Sequence, residues 1–429
     1  MRRRSFLGLL GGSLLWPRTL EALSRELEGG GGPDDEAFWS FVRDQFLIPP
    51  DRIYLNNGTL GPSPAVVVDA VAEHARRVAA TFPPGVDWDD VKGSVGNLLG
   101  ADPEGLVFPR NTTEAMSFVA NGLELGPDDE ILTTDHEHIG GLCPWEMVSA
   151  RTGAPLRTFS LPVPATSGRD LLELILEEVR PGTRVLSLSH VTFTTGLRLP
   201  VEEVAEACRE REVVFVVDGA HPPGMLRLDL SSWDPEFYAS SPHKWMLAPQ
   251  GTGLLYLGPR WRTRLWPTLA SGGWDDMELG AHRLNHLGTF DETRLAGLLS
   301  AAEFIATVRM DRIEPRVRRL RRRLEEGLRA LPGTEVASSP VEELATAMVS
   351  FSMEGVESLA LQRHLGRVAR VRTRVIGEYD YGWMRLSTHL YNEPRDVDRV
   401  LELLDDVRRR GIPGNGPSGV PPGRARRYS

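Results

Sequence analysis

The stretch Glu212–Ala220 reads EVVFVVDGA, five apolar residues in succession closed by Asp218. A strand with one wet face alternates apolar with polar residues. An unbroken run of β-branched and aromatic side chains therefore predicts a strand covered on both faces, as in a parallel sheet wrapped by helices. Asp218 then stands where such a strand delivers its last side chain to the top of the sheet. A carboxylate in that place expects a cationic partner.

Runs of the same kind lie on either side: GLVF before Pro109, EILTT from Glu130, TRVLSLS from Thr183, EFYAS from Glu236 and TGLLYLG from Thr252. Segments of helical period separate most of them, at Thr113–Leu123, Gly141–Thr152, Asp170–Val179 and Val201–Arg211. This alternation predicts an α/β fold with a large, mostly parallel sheet, in which ligands gather at the carboxyl ends of the strands. From about Leu295 the pattern changes. Ile313, Val317, Leu320, Leu324 and Leu328 recur at helical steps, and Pro315 is expected to kink that helix or to start a second one. ATAMVSFSM, VARVRTRVI and WMRLSTHLY then read as strands, interleaved with helices near Val356–Leu365 and Arg395–Val407. The expected organisation is a large domain over residues 34–294, opened by an arm at 34–60, and a smaller α+β domain over 295–410.

Residues 1–33 and 411–429 read as appendages. MRRRSFLGLLGGSLLWP places Arg2, Arg3 and Arg4 before Phe6, Leu7 and an apolar stretch stopped by Pro17. That is the pattern of a twin-arginine export signal, with an apolar core too short for a stable membrane span. The expectation is export to the periplasm or beyond, with a membrane tether if the signal stays uncleaved. EGGGGPDDE has the composition of a flexible linker, and GIPGNGPSGVPPGRARRYS that of a disordered tail.

A net charge of -10 over 429 residues gives no general attraction to nucleic acid or anionic lipid. The basic run RVRRLRRRLEE keeps the helical apolar period, so its arginines read as a solvated face. Two cysteines, Cys143 and Cys208, make neither a disulfide framework nor a zinc cluster.

Of forty-nine basic residues, forty-seven are Arg; the lysines are Lys92 and Lys244. Lys92, among the acids of DWDDVKGSV, reads as an ordinary surface residue. Lys244 lies in YASSPHKWMLAPQGTG, one strand beyond Asp218. Arg keeps its proton, whereas a buried or crowded lysine loses it and attacks carbonyls, so Lys244 is a candidate Schiff-base nucleophile. An acid at one strand end and such an amine at the next suit pyridoxal phosphate, which has a ring nitrogen to protonate and an aldehyde to take an amine. PRNTTEAMSF supplies a phosphate cradle: Asn111, Thr112 and Thr113 stand where a helix begins, with Glu114 in its first turn. The same residues also suit plain N-capping. Ser241 and His243 add two donors.

DGAHPPGM, SSPHKWMLAPQGTGLLYL, SHVTFTTGLRLPV, NTTEA and RLSTHLYN together resemble the class V aminotransferases, pyridoxal-phosphate-dependent enzymes of fold type I, and among them the isopenicillin N epimerase-like branch. The resemblance runs from about Arg52 to about Leu404. It implies that Lys244 carries the cofactor, that Asp218 pairs with the pyridine nitrogen and that His221 approaches the phenolic oxygen. It implies a phosphate held by Thr112, Thr113, Ser241 and His243, and a ring stacked on the pyridine by His138 of DHEHIGG, where close relatives often have Tyr. Thr289 in LGTFDE resembles the residue that reaches the phosphate from a neighbouring subunit, which implies a homodimer with a shared active site. Arg385 in WMRLSTH matches the arginine that grips a substrate α-carboxylate. Asn57 in YLNNGTLGP matches a loop at the site's mouth.

The implied chemistry is that of an amino acid at its Cα, transamination first, with epimerisation or C–S/β-elimination as alternatives. A desulfurase that uses a cysteine of its C-terminal part is disfavoured, because no cysteine follows Cys208. A metal hydrolase is the rival from another class, since DHEH sets His136 and His138 two apart beside Asp135 and Glu137. No H-E-x-x-H follows and no metal is expected. The absence of G-x-S-x-G argues against a serine hydrolase. A protein that holds the cofactor without turnover is disfavoured by Arg385 beside the cofactor set.

Overall fold

A computed structural model describes residues 20–27, 29–81 and 85–412. The export-signal motif and nearly all of the expected tail lie outside them. The strands are β1 (Ile53–Tyr54), β2 (Leu106–Val107), β3 (Glu130–Thr134), β4 (Leu156–Phe159), β5 (Thr183–Ser189), β6 (Val214–Asp218), β7 (Phe237–Ser240), β8 (Leu254–Leu257), β9 (Thr334–Val336), β10 (Met348–Met353), β11 (Val371–Arg372), β12 (Arg374–Ile376) and β13 (Trp383–Ser387). Seven of them form one sheet in the order β2-β8-β7-β6-β5-β3-β4. β3 to β7 pair in parallel, and β8 runs antiparallel to both its neighbours.

The apolar run closed by Asp218 forms β6, and its side chains divide between two cores. Val214 and Val216 pack with Met116, Val119, Trp145 and Val148, from helices Thr112–Gly122 and Ile139–Thr152. Phe215 and Val217 pack on the other face with Val95, Ile175, Val204 and Leu298. Each such burial stabilises by about 1.5–3 kcal/mol, so a one-residue slip of β6 would be costly on both faces. β4 escapes the sequence reading because it is an edge strand of which only Phe159 is buried. Its Arg157 faces outward to the Glu130 and Glu178 carboxylates.

The C-terminal part holds an antiparallel sheet, β12-β13-β10-β9, whose core joins Phe351 and Leu386 to Leu320, Leu324 and Leu328, and to Leu361, Val400 and Leu404 from two further helices. The expected boundary at Leu295 falls inside helix Thr293–Val308, where Leu295, Leu298 and Ala301 share the large sheet's core with Val67 and Val91. The helical break lies at Arg309 and not at Pro315: Arg309 takes φ 77° between two helices, and Met310–Ala330 runs through the proline. Two arginines of the expected solvated face are buried. Arg316 reaches the Glu36 carboxylate and the carbonyls of Pro33 and Asn392, and Arg321 the carbonyl of Ser339. Lys92 also departs from expectation, being 6% exposed, because the helix Trp88–Leu99 turns it inward beside Val91 and Val95.

A third cluster ties the parts together. Trp39, Val42 and Phe46 of the arm pack with Trp245 and Leu247 beside the key lysine, and with Ile313, Met348 and Tyr391 of the C-terminal half. β1 extends the tie by pairing in parallel with β11, and Asn56 bridges Ser387.

Candidate active site

From β3 the chain crosses to β4 on one side, while β5, β6 and β7 follow on the other. Such a reversal opens a crevice over the carboxyl ends of the strands. The segment after β3 brings Glu137 and His138 there, the one after β5 brings Phe193, β6 ends in Asp218, and the turn after β7 carries Ser241, His243 and Lys244.

The helix Thr112–Gly122 opens toward this crevice. Asn111 is its cap, accepting from Glu114 N–H at 2.9 Å. Thr112 donates its N–H to Ser241 Oγ (3.1 Å), and the two hydroxyls lie 2.7 Å apart. Thr113 is exposed, and no hydrogen bond among the described residues uses its N–H. A Cβ on Gly140 would lie 2.3 Å from Thr113 Oγ1, so glycine there keeps that hydroxyl uncovered. His243 directs Nδ1 to the Thr252 carbonyl at 3.1 Å and has Nε2 left over, with burial holding its pKa at about 4.

Asp218 is buried; Oδ1 accepts from Ala220 N–H at 3.0 Å, and no hydrogen bond from the described residues reaches Oδ2. A Cβ on Gly141 would meet Oδ2 at 2.7 Å. Burial raises the Asp218 pKa, against the pull of the Lys244 charge. Burial also lowers Lys244 to about 8, with Asp218 opposing and the charges of Arg385 and Arg374 adding to the fall. Its amine is 3.3 Å from His221 Nε2. His138 is held near 3 by burial and by Lys244, and its Nδ1 accepts from Gly140 N–H at 3.0 Å.

Arg385, at the centre of β13, is 1% exposed. Its guanidinium donates to the Phe193 carbonyl and to Thr59 Oγ1, while Nε has no partner. No carboxylate pairs with it among the described residues. Burial and the Arg374 charge lower its pKa to about 9. Arg374 stands directly opposite on β12 and is tied to Glu378.

These donors fit pyridoxal phosphate at both ends. A free carboxylate oxygen at the close of β6 suits a protonated ring nitrogen, and an open helix N-terminus with two hydroxyls suits a phosphate. Lys244, Asp218, His221, His138, Thr112, Thr113, Ser241 and His243 all stand around one crevice, with Arg385 across it. Thr289 does not join them: it is exposed on the segment before helix Thr293–Val308. Asn57, expected in a loop at the site's mouth, lies beneath the lysine turn. It is fully buried, donating to the Lys244 carbonyl at 3.3 Å and accepting from Tyr391 O–H at 3.0 Å, so it braces the lysine turn. His136 and His138 do not converge on a common point either; His136 is used by Thr194 and Tyr381.

Sequence reasoning missed Trp245, Glu137 and Arg374. Glu137 is a buried acid raised to about 7 by desolvation, bonded to Ser189 and Thr134. The signal for Arg374 was the alternation of VRTRVI beside MRLS, which becomes a shared face only once the strand register is known.

Fold and site together define a pyridoxal-phosphate-dependent enzyme of fold type I. The chain belongs to the aminotransferase class-V family, whose model matches residues 85–400. It is 32% identical to an isopenicillin N epimerase of Streptomyces clavuligerus over 391 residues, covering 86% of this chain and 98% of that protein. It is 33% identical to the isopenicillin N epimerase of Amycolatopsis lactamdurans, over 86% and 99%. A probable cysteine desulfurase of Pyrococcus abyssi is 26% identical, over 85% and 96%. Among solved structures, the cystine C–S lyase C-DES with its product cysteine persulfide shares the fold at a TM-score of 0.75 and 24% identity, over 83% of this chain and 98% of that one.

Proposed function

We propose that the protein binds an α-amino acid by its carboxylate on Arg385 and moves the proton at Cα with Lys244, and that the outcome is inversion at Cα. The observation that carries this is the Arg385 guanidinium, buried and, among the described residues, facing neutral acceptors with no carboxylate of its own. Breaking or omitting the partner of a buried charge is costly, and a planar fork is complementary to a carboxylate.

Pyridoxal phosphate, when bound, supplies an aldehyde for the substrate amine and an electron-withdrawing ring that acidifies the Cα–H. Asp218 Oδ2 would hold the ring nitrogen's proton, and Thr112, Thr113, Ser241 and His243 the phosphate. Lys244, with its pKa near 8, keeps a usable fraction of free amine at neutral pH and so takes and returns a proton. His138, neutral at any physiological pH, offers a ring face without adding charge. The Asn57 contact to the Lys244 carbonyl keeps the amine aimed.

Inversion is preferred because the epimerase relatives match almost end to end. Transamination is the second reading, favoured by the family model that the chain matches. A thiol-based desulfuration lacks its group, since no cysteine follows Cys208. The test is a panel of L- and D-amino acids incubated in D2O with the purified protein, followed by chiral chromatography and NMR. Inversion yields the opposite configuration with deuterium at Cα and no keto acid. A keto acid moves the assignment to transamination, and ammonia with a lost side chain moves it to elimination. Absence of Cα exchange with every amino acid overturns the proposal.

The same reading includes a homodimer and twin-arginine export. The dimer is supported by exposed Trp266, Leu269, Trp274 and Met277, all on the segment that leads to Thr289.

A further inference from the structure

Trp245 follows the key lysine and is fully buried. An indole can only donate, and its Nε1–H ends on His221 Nδ1 at 3.0 Å. A ring nitrogen that accepts carries no proton. His221 therefore carries its proton on Nε2, the nitrogen 3.3 Å from Lys244 Nζ. Turning the ring over would set carbons against both the indole N–H and the amine, leaving a buried donor unsatisfied. Burial, together with the charges of Lys244 and Arg385, opposes a second proton on the ring.

We infer that Trp245 is a positioning residue that fixes the tautomer of His221, so that a hydrogen-bond donor faces Lys244. The indole is itself braced. The Trp245 carbonyl accepts from His389 Nε2 at 3.0 Å, the two rings meet edge to face at 5.2 Å, and the side chain packs in the cluster that joins the arm to the C-terminal half. A donor facing Nζ favours the neutral amine, whose lone pair accepts it. The other tautomer would present an acceptor and favour the ammonium. Asp218, Arg385 and Arg374 act on Lys244 in either case, so the tautomer is the one variable. The inference uses the site as read above but does not depend on which reaction it performs or on the cofactor being present.

With two lysines in the chain, the test has an internal reference. The full chain, freed of cofactor, is acylated with trace acetic anhydride across pH 6–11, and the Lys244 and Lys92 peptides are quantified by mass spectrometry. Trp245→Phe keeps an aromatic ring and removes the N–H. It should move the Lys244 profile upward by about half a pH unit or more, about a threefold loss of reactive amine at fixed pH, with Lys92 unmoved. The shift should vanish in a His221→Phe background. An unmoved profile, or a shift that persists without His221, overturns the inference. Should Trp245→Phe fail to fold, the ring ¹⁵N shifts of His221 in the wild-type chain, assigned by difference against His221→Gln, decide directly: protonated Nε2 supports it and protonated Nδ1 overturns it.

Discussion

At the scale of the residue, Arg385 and Glu137 carry opposite lessons about buried charge. Arg385→Gln keeps a donor but removes the charge, and kcat/KM for the amino acid should fall by about 10- to 100-fold while cofactor binding is kept, since a charged hydrogen bond is worth about 1.5–3 kcal/mol. An unchanged kcat/KM would remove Arg385 as the carboxylate grip. Glu137 has a folded pKa of about 7 against an ordinary 4.5, so between those values the folded chain holds a proton that the unfolded chain has lost. Its contribution to stability is full below about pH 4.5 and is lost as pH rises through 7. Glu137→Gln should therefore lose less stability than wild type between pH 5 and 8, a difference on the order of 3 kcal/mol, read from urea unfolding at each pH. Identical pH slopes would mean that Glu137 is ionised in the fold. Lys244 was legible because it is one of two lysines, and Asp218 because it closes an apolar run. Glu137, equally buried, sits in a short polar motif, and nothing in DHEH says which of its four side chains turns inward.

Among the elements, strands flanked on both sides were the easiest to read. TRVLSLS is β5 to the residue, whereas β4, half wet at the sheet's edge, left no trace that a periodic reading could catch. The break at Arg309 was missed for a related reason: proline advertises itself, but a left-handed arginine between two helices has no composition signal. The turn after β3 is where packing and chemistry meet. Gly141→Ala would place a methyl 2.7 Å from Asp218 Oδ2. Relieving that overlap displaces the carboxylate, and the Kd for pyridoxal phosphate should rise about tenfold or more. Fluorescence titration of the cofactor-free chain measures it, and an unaltered Kd would mean that the crevice is wider at that point than the contact implies.

For the whole molecule, the proposals concern what the chain joins and where it goes. If a neighbouring subunit completes the phosphate site, the protein should sediment as a dimer, and Thr289→Ala should weaken cofactor binding without altering that state. A monomer that binds the cofactor with full affinity would refute the shared site. Replacing Arg3 and Arg4 by Lys should retain the protein in the cytoplasm, as fractionation with an antibody would read; undiminished export would point to another route. The seven-stranded sheet was legible because it is built from separate hydrophobic strands. The way the arm, the lysine turn and the C-terminal half meet was not, since Trp39, Trp245 and Tyr391 look in the sequence like any other aromatic residues.

That meeting place has a mechanical meaning. Asn57 and His389 are bonded to the backbone of Lys244 and Trp245, Tyr391 holds Asn57, and Arg385 stands two residues before Ser387, which bridges Asn56. A body that swings about an axle moves least at the axle. A hinge along this seam would leave the distance between amine and guanidinium nearly constant, because the bonds that tie the lysine turn to the arginine strand lie on it.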